Sequence, residues 1–143
     1  MRIDGEWYEC DDGVVRPVIR AEVLSAAGFW EPAFLLVDTG ADRTVFTAGL
    51  RELIGIPGTK SDSRVGGVGG LQDAIEIAVQ MRLTSDDGRK PIFRGSFAAL
   101  TRDEALDMSV LGRDVLDLFA VIVDRPGDTI ALVGQQHRYS IST

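Results

Sequence analysis

Short runs of apolar and β-branched residues, separated by turn residues at intervals of about eight to twelve positions, constrain the fold of this chain most strongly. Four such runs are Val14–Leu24, Phe29–Val37, Ala74–Leu83 and Pro91–Leu100. In the third run, apolar residues alternate with polar or small ones, which is typical of a strand with one buried face. The turn at Asp86–Gly88 is typical of a hairpin. The pattern therefore predicts an all-β, barrel-like domain.

Shorter strands follow in the C-terminal third of the chain. Ser109–Leu111 is a short apolar strand that ends at Gly112. Ala120–Val123 and Thr129–Val133 lie on either side of a turn that contains a Pro-Gly pair. We therefore expect one more hairpin before the polar tail that begins at Gly134.

Two short helices interrupt the strands. The segment Thr47–Ile54 starts with a residue suited to an N-cap and is followed by Gly55, which is suited to end a helix. A second short helix is predicted near the C-terminus, where Val115, Leu118 and Phe119 have helical spacing.

The composition is that of an ordinary globular domain, with 143 residues of which 45% are hydrophobic and 26% are charged. We expect a single domain over residues 1–143, with its core at about residues 14–133. The formal net charge of −7 argues against a nucleic-acid partner, because phosphate binding requires clustered Lys and Arg. Cys10 is the only cysteine, so no internal disulfide can form.

The first residues of the sequence lack the apolar segment of a signal peptide. No apolar run approaches the roughly 20 residues that a membrane-spanning helix needs. We therefore expect a cytoplasmic protein without a membrane partner.

The segment Leu35–Phe46 contains the residues with the clearest chemical potential. Leu35–Val37 reads as a buried strand, so Asp38 falls where that strand leaves the core. A carboxylate in such a place needs hydrogen-bond partners, because a bare buried charge is costly. Thr39 and Gly40 can supply a hydroxyl and accessible backbone N–H groups. The arrangement is suited to holding a reactive carboxylate, although a plain strand-end turn would have similar residues.

A glycine-rich run, Val65–Gly70, has four glycines in six residues. It is not a dinucleotide-binding fingerprint, because the third glycine of that motif is missing and no helix follows. It is not a phosphate-binding loop of the Walker type either, because no Gly-Lys-Ser/Thr follows. Its position before a strand predicts the tip of a hairpin, and the alternative is a flexible surface loop.

Three segments in this order resemble the retropepsin-like aspartic proteases. Asp38–Asp42, with the sequence Asp-Thr-Gly-Ala-Asp, is similar to the active-site loop of that family. Val65–Gly70 lies where the family has its flap, a hairpin that covers the substrate. Val110–Asp114, with the sequence Val-Leu-Gly-Arg-Asp, is similar to the second family signature, which passes beside the active-site loop and leads into a helix. The resemblance extends over roughly Val14–Val123 and implies a closed β-barrel with one or two short helices and a flap hairpin.

The resemblance also implies an activity, aspartic-type endopeptidase cleavage of an extended peptide or protein substrate. Two carboxylates that share one proton activate water without any metal or other cofactor. The chain has one Asp-Thr-Gly sequence and therefore half of such a dyad. The family pattern implies a homodimer in which Asp38 from each subunit faces its symmetry mate. Thr39 would then hydrogen-bond across the dimer axis, and Gly40 would present its backbone beside Asp38.

The remaining family positions would bind substrate or support the loop. Asp42 would contact the substrate backbone and pair with Arg113, and Gly112 would let the second segment pass close to the active-site loop. A surface ion pair of little energetic value is the alternative for Asp42 and Arg113. The flap would close over the substrate and hydrogen-bond its backbone. Its residues are Val65, Gly66, Gly67, Val68, Gly69 and Gly70.

The sequence departs from the retroviral pattern in two places. Retroviral enzymes end soon after the helix with a strand that forms the dimer interface, whereas this chain continues from Phe119 to Thr143. That extension is more similar to the retropepsin-like domains of cellular proteins. Arg43 stands where the family often has an acidic residue, which affects the expected substrate preference.

A rival interpretation is a non-catalytic module with the same fold that dimerises or binds a peptide. The intact Asp38–Gly40 sequence favours catalysis over that interpretation. A zinc site or a Cys–His nucleophile is disfavoured, because His137 and Cys10 are the only residues of their types and lie far apart in sequence.

Overall fold

A computed structural model describes residues 1–67, 70–102, 107–134 and 142–143 of the chain, with the backbone alone described for residues 61–72. Strands make up 51% and helices 9% of the structure, which confirms the predicted all-β class. The strands are β1 (Arg2–Asp4), β2 (Glu6–Glu9), β3 (Val15–Leu24), β4 (Trp30–Val37), β5 (Val45–Phe46), β6 (Thr59–Gly67), β7 (Gly70–Arg82), β8 (Ile92–Leu100), β9 (Ser109–Leu111), β10 (Ala120–Asp124) and β11 (Thr129–Val133). The helices are α1 (Ala48–Ile54) and α2 (Arg113–Leu116).

The larger sheet closes into a barrel. Its strand order is β2-β3-β4-β9-β5-β8-β7-β6, and an additional pairing between β3 and β7 completes the ring. The closing register aligns Glu22 with Arg82 and Val23 with Met81. The closed barrel with a protruding β6–β7 hairpin is the predicted architecture. Most strand pairs are antiparallel, and the parallel ones are β4–β9 and β5–β8.

The chain termini form a separate three-stranded sheet with the order β1-β11-β10. The predicted C-terminal hairpin is present, with Ala120 aligned to Val133. The sequence pattern missed β1 and β2, because they are short and mostly polar. Ile3 in β1 is nonetheless 1% exposed and belongs to the core, outside the predicted core range. Gly5 connects β1, which pairs with β11, to β2, which pairs with β3. An added Cβ at Gly5 would lie 2.7 Å from Ile19 Cδ1.

Helix α1 has the predicted N-cap and the predicted C-terminal glycine. The Thr47 hydroxyl accepts a hydrogen bond from the backbone N–H of Leu50 at 3.2 Å and so caps the N-terminus. Gly55 ends the helix in the left-handed conformation, with φ of 65°. The buried residue Ile54 turns this end of the helix toward the core.

Helix α2 is shorter than the predicted spacing implies. It ends at Leu116, and beyond it the chain tightens, since Leu118 N–H bonds to Val115 C=O and Phe119 N–H to Leu116 C=O. This tightening rotates the next side chains, so Leu118 is 62% exposed and Leu116 is buried in its place. The prediction of Leu118 on the helical apolar face was therefore wrong.

The barrel interior is filled by inward-facing side chains of the strands. Fully buried examples are Ile19 on β3, Leu35 on β4, Ile77 on β7 and Leu111 on β9. Burying large aliphatic side chains of this kind is the main source of stability for a domain of this size. The loop after β4 therefore begins at the end of a strand whose inward-facing side chains are packed in the core.

Candidate active site

Asp38 lies directly after β4, at the point where the buried strand ends, as predicted. Its backbone N–H donates to Leu111 C=O of the neighbouring parallel strand β9 at 3.2 Å. Its side chain is half-buried, and its Oδ1 accepts a hydrogen bond from Gly40 N–H at 2.9 Å. Ala41 N–H closes the turn on Asp38 C=O at 3.2 Å. The loop thus holds one carboxylate oxygen in place with its own backbone.

Arg113 at the start of α2 joins this loop from the other signature segment. Its guanidinium donates to the Asp42 carboxylate and, at 3.2 Å, to the backbone carbonyl of Thr39. Its backbone N–H donates to Ala41 C=O at 2.8 Å. The structure therefore brings Arg113 of the second segment into contact with Thr39, Ala41 and Asp42 of the first. The Thr39 side chain is exposed, and within the described part of this single chain its hydroxyl has no hydrogen-bond partner.

Gly112 allows the second segment to lie against the active-site loop. An added Cβ would overlap the backbone carbonyl of Arg43 and lie 2.8 Å from the backbone nitrogen of Thr44. Both obstacles are main-chain atoms, which cannot rotate away as a side chain can. The close approach predicted for Gly112 therefore depends on the absence of a side chain.

The sequence did not predict the hydrogen-bond network around the buried side chain of Thr44, beside Gly112. The Thr44 hydroxyl donates to Asp114 Oδ1 at 2.7 Å and accepts from Gly112 N–H at 3.1 Å. Asp114 also accepts from Thr44 N–H, at 3.0 Å to Oδ1 and 2.9 Å to Oδ2. Thr44 lies six residues after Asp38, and Asp114 follows the Gly-Arg pair, but nothing in this spacing showed that the two side chains meet.

The predicted flap forms the end of the β6–β7 hairpin. Val65 aligns with Gln72, Gly66 with Leu71, and Gly67 with Gly70 in an antiparallel register. Val68 and Gly69, at the predicted tip, lie outside the described residues. The backbone arrangement is that of a hairpin arm, as the glycine run predicted.

Arg43 links the active-site loop to the base of this hairpin. Its guanidinium forms two hydrogen bonds with the Glu76 carboxylate on β7, one of them 2.7 Å long. The Ser96 hydroxyl on β8 donates to Glu76 Oε2 at 2.7 Å. The hydrogen bond from Arg43, followed by the one from Ser96, lowers the pKa of Glu76 from its usual 4.5 to about 2. The positive charge of Arg43 is therefore paired with the Glu76 carboxylate within the same chain.

A cavity of about 500 Å³ lies beside Phe34 of β4. Tyr8, Phe34 and Met108 contribute its apolar part, and the Tyr8 and Phe34 rings stack with centroids 5.4 Å apart. Its lining also includes charged side chains, those of Asp11, Asp12, Arg16 and Asp107.

Within the described ranges, no group of three or more His, Cys, Asp or Glu side chains is arranged to hold a metal ion. The described part of the chain also contains no helix with the length and hydropathy needed to cross a membrane.

Together, the closed barrel, the loop after β4, the Gly-Arg segment and the hairpin define the fold of the retropepsin-like aspartic proteases. Two solved structures share it. EIAV protease in complex with the inhibitor HBY-793 superposes with a TM-score of 0.53 and 22% identity, over 71% of this chain and 86% of that one. A retropepsin-like aspartic protease from Rickettsia conorii superposes with a TM-score of 0.57 and 20% identity, over 92% of this chain and 97% of that one. These similarities confirm the predicted fold.

Comparison with protein-family models gives no match, and comparison with curated proteins gives none either. The relationship is therefore visible in the three-dimensional structure and in three short motifs rather than along the whole sequence.

Proposed function

We propose that this protein is an aspartic endopeptidase that acts as a homodimer on extended peptide segments. The observation that carries the proposal is Asp38, a half-buried carboxylate at a strand end whose Oδ1 accepts the Gly40 N–H. The retropepsin-like fold and the proteolytic function of the two structural neighbours support it.

In the proposed reaction, a water molecule is held between the Asp38 carboxyl groups of the two subunits. One carboxylate accepts a proton from this water as its oxygen attacks the peptide carbonyl carbon, and the other carboxylic acid donates a proton to the carbonyl oxygen. The carboxyl group that took the proton from water then gives it to the scissile nitrogen, and the C–N bond breaks. As the intermediate collapses, one of its hydroxyl groups returns a proton to the other carboxylate. The cycle needs only water as co-reactant.

The other loop and hairpin residues take supporting roles in this proposal. Thr39, whose side chain is exposed in the single chain, hydrogen-bonds across the dimer axis. Asp42 binds substrate backbone while Arg113 holds it in place. The β6–β7 hairpin covers the substrate, excludes water and adds backbone hydrogen bonds to a peptide in the β conformation.

Cleavage of a peptide library by wild-type protein and by Asp38→Asn tests the proposal. Asp38→Asn keeps the size and the acceptor oxygen of the side chain but removes its charge, so we expect cleavage to be lost while the circular dichroism spectrum and the dimer mass are retained. Asp117→Asn, a substitution at an exposed carboxylate beyond α2, serves as the matched control and should cleave normally. Cleavage by Asp38→Asn would overturn the mechanism.

A second function, a non-catalytic dimerisation or peptide-binding module, is favoured by one observation. The terminal strands β1, β11 and β10 pair with each other within one chain, whereas the retroviral pattern uses a terminal strand in the dimer interface. A subunit arrangement different from the retroviral one could separate the two Asp38 residues.

The structure of the dimer distinguishes the two functions. Asp38 carboxyl groups in hydrogen-bond contact across the axis support the enzyme, and a wide gap supports the binding module. Specific activity that falls as the protein is diluted into the monomeric range gives the same answer in solution, because a dyad formed between subunits disappears on dissociation.

A further inference from the structure

We propose that Arg43 and Glu76 are positioning residues that couple the loop carrying Asp38 to the hairpin covering the substrate. This proposal rests on the proposed function, because it assigns the hairpin the role of a substrate cover. It also has a structural consequence that can be measured without any activity.

The first step of the argument is that Arg43 is fixed at both its backbone and its side chain. Its carbonyl group lies so close to Gly112 that no Cβ fits between the two segments. Its guanidinium makes paired hydrogen bonds with Glu76, 33 positions along the chain. Arg43 therefore touches both the segment that supports the active-site loop and the strand that continues into the hairpin.

The second step concerns the place of Glu76 in the hairpin. Glu76 is aligned with Thr59, the first residue of β6, and so lies at the base where the two hairpin strands meet. The register between these strands is interrupted between Lys60 and Arg64, just beyond the base. The ladder is locally disrupted there, so the contacts of Glu76 act on the last regular part of the hairpin before the arm.

The third step is that the pair is shielded enough to act as a specific contact. The Arg43 and Glu76 side chains are 35% and 25% exposed. The paired geometry of guanidinium and carboxylate defines direction as well as distance, which an ammonium group cannot do. Ser96 fixes the Glu76 carboxylate from the opposite strand, β8, so the hairpin base is held on two sides.

The chain contains a matched control. Glu22 and Arg82 form a similar two-bond ion pair, with distances of 3.0 and 3.2 Å, and Arg82 lies on the same strand β7. This pair joins β7 to β3 at the barrel closure and does not touch the active-site loop. Glu22 also pairs with the exposed Lys90 at 3.3 Å, so Glu22→Gln removes at least as many charge contacts as Glu76→Gln, at a place away from the proposed coupling.

The closing experiment measures amide hydrogen exchange in wild-type protein and in Arg43→Met, Glu76→Gln, their double variant, and Glu22→Gln. We expect Glu76→Gln to accelerate exchange both in the loop at residues 38–44 and in the hairpin backbone at residues 59–67 and 70–76. Arg43→Met should have the same effect, and the double variant should be no faster than the single ones, because both remove one interaction. Glu22→Gln should leave these segments unchanged.

Peptide cleavage provides the second readout. We expect Glu76→Gln to raise KM about fivefold with a smaller change in kcat, because the hairpin contacts bound substrate. If the wild-type dimer cleaves no peptide, the proposed function is wrong. The hydrogen-exchange comparison would still test whether Arg43 and Glu76 couple the loop to the hairpin. Acceleration confined to the hairpin, additive effects in the double variant, or an equal effect of Glu22→Gln would overturn the coupling.

Discussion

The fully buried hydroxyl of Thr44 donates to Asp114 Oδ1 at 2.7 Å, although 70 positions separate the two residues. The same hydroxyl accepts the backbone N–H of Gly112. The buried Thr44 side chain thus joins the segment after the Asp38–Asp42 loop to the Gly112 backbone and to the Asp114 carboxylate. The loop that carries Asp38 is held by this contact on its far side and by Arg113 on its near side.

Replacement of Thr44 by Val should lower the free energy of unfolding by about 2 kcal/mol. Val has nearly the same shape, but it leaves the Gly112 N–H and Asp114 without a hydroxyl partner in the buried network. Urea denaturation measures the change. Thr84→Val, at an exposed position, is the control and should change stability by less than about 0.5 kcal/mol. Equal effects of the two substitutions would show that the buried network adds nothing.

Replacement of Gly112 by Ala should be strongly destabilising, by about 3 kcal/mol. The added methyl group would lie 2.8 Å from Thr44 N and overlap the Arg43 carbonyl, so the two segments must move apart. Gly49→Ala is the matched control, because Gly49 lies within α1 with nothing within 4 Å of an added Cβ. That control should stabilise the protein by up to about 1 kcal/mol. A Gly112→Ala protein as stable as wild type would contradict the close approach.

Replacement of Gly40 by Ala should reduce kcat about tenfold while leaving the fold intact. The added Cβ would lie 3.2 Å from Asp38 Oδ1, a distance that requires the carboxylate to shift by a few tenths of an ångström. Initial rates on a cleaved peptide measure the loss, and thermal unfolding checks the fold. Gly95→Ala, with nothing near its added Cβ, should retain full activity. An unchanged kcat in Gly40→Ala would show that the position of Asp38 Oδ1 does not affect the rate of cleavage.

Stability should fall in acid as Glu76 takes up a proton. Its pKa is lowered from 4.5 to about 2 by Arg43 and Ser96, so its stabilising contribution is complete above about pH 4.5 and disappears as the pH falls toward 2. A shift of that size corresponds to about 3 kcal/mol, which screening of this partly exposed pair reduces to about 1 kcal/mol.

Glu76→Gln should therefore be about 1 kcal/mol less stable than wild type at neutral pH, with the difference vanishing near pH 2. Urea denaturation at several pH values between these limits measures it. A difference that stays constant down to pH 2 would show that the Glu76 charge does not contribute.

Local sequence determined the strands, the turns and one helix with its caps. Alternating apolar residues from Ala74 to Leu83 and the hairpin turn at Asp86–Gly88 predicted β7 and its connection to β8, and Gly88 has the positive φ, 84°, that such a turn uses. The position of Asp38 at the end of a buried strand was also readable, because burial and chain exit are local properties. Short motifs predicted the family fold.

Tertiary structure alone decided which distant residues meet. The sequence did not show that Arg43 would pair with Glu76, because either residue alone looks like an ordinary surface charge. The sequence also did not predict β1, because its single buried residue, Ile3, is too little to show the alternation of apolar and polar residues typical of a strand. Side-chain pairing across 33 or 70 positions depends on strand register and barrel closure, and these are collective properties of the packed chain. Asp38 is therefore a feature of the local sequence, whereas the contacts that hold its loop are a product of the fold.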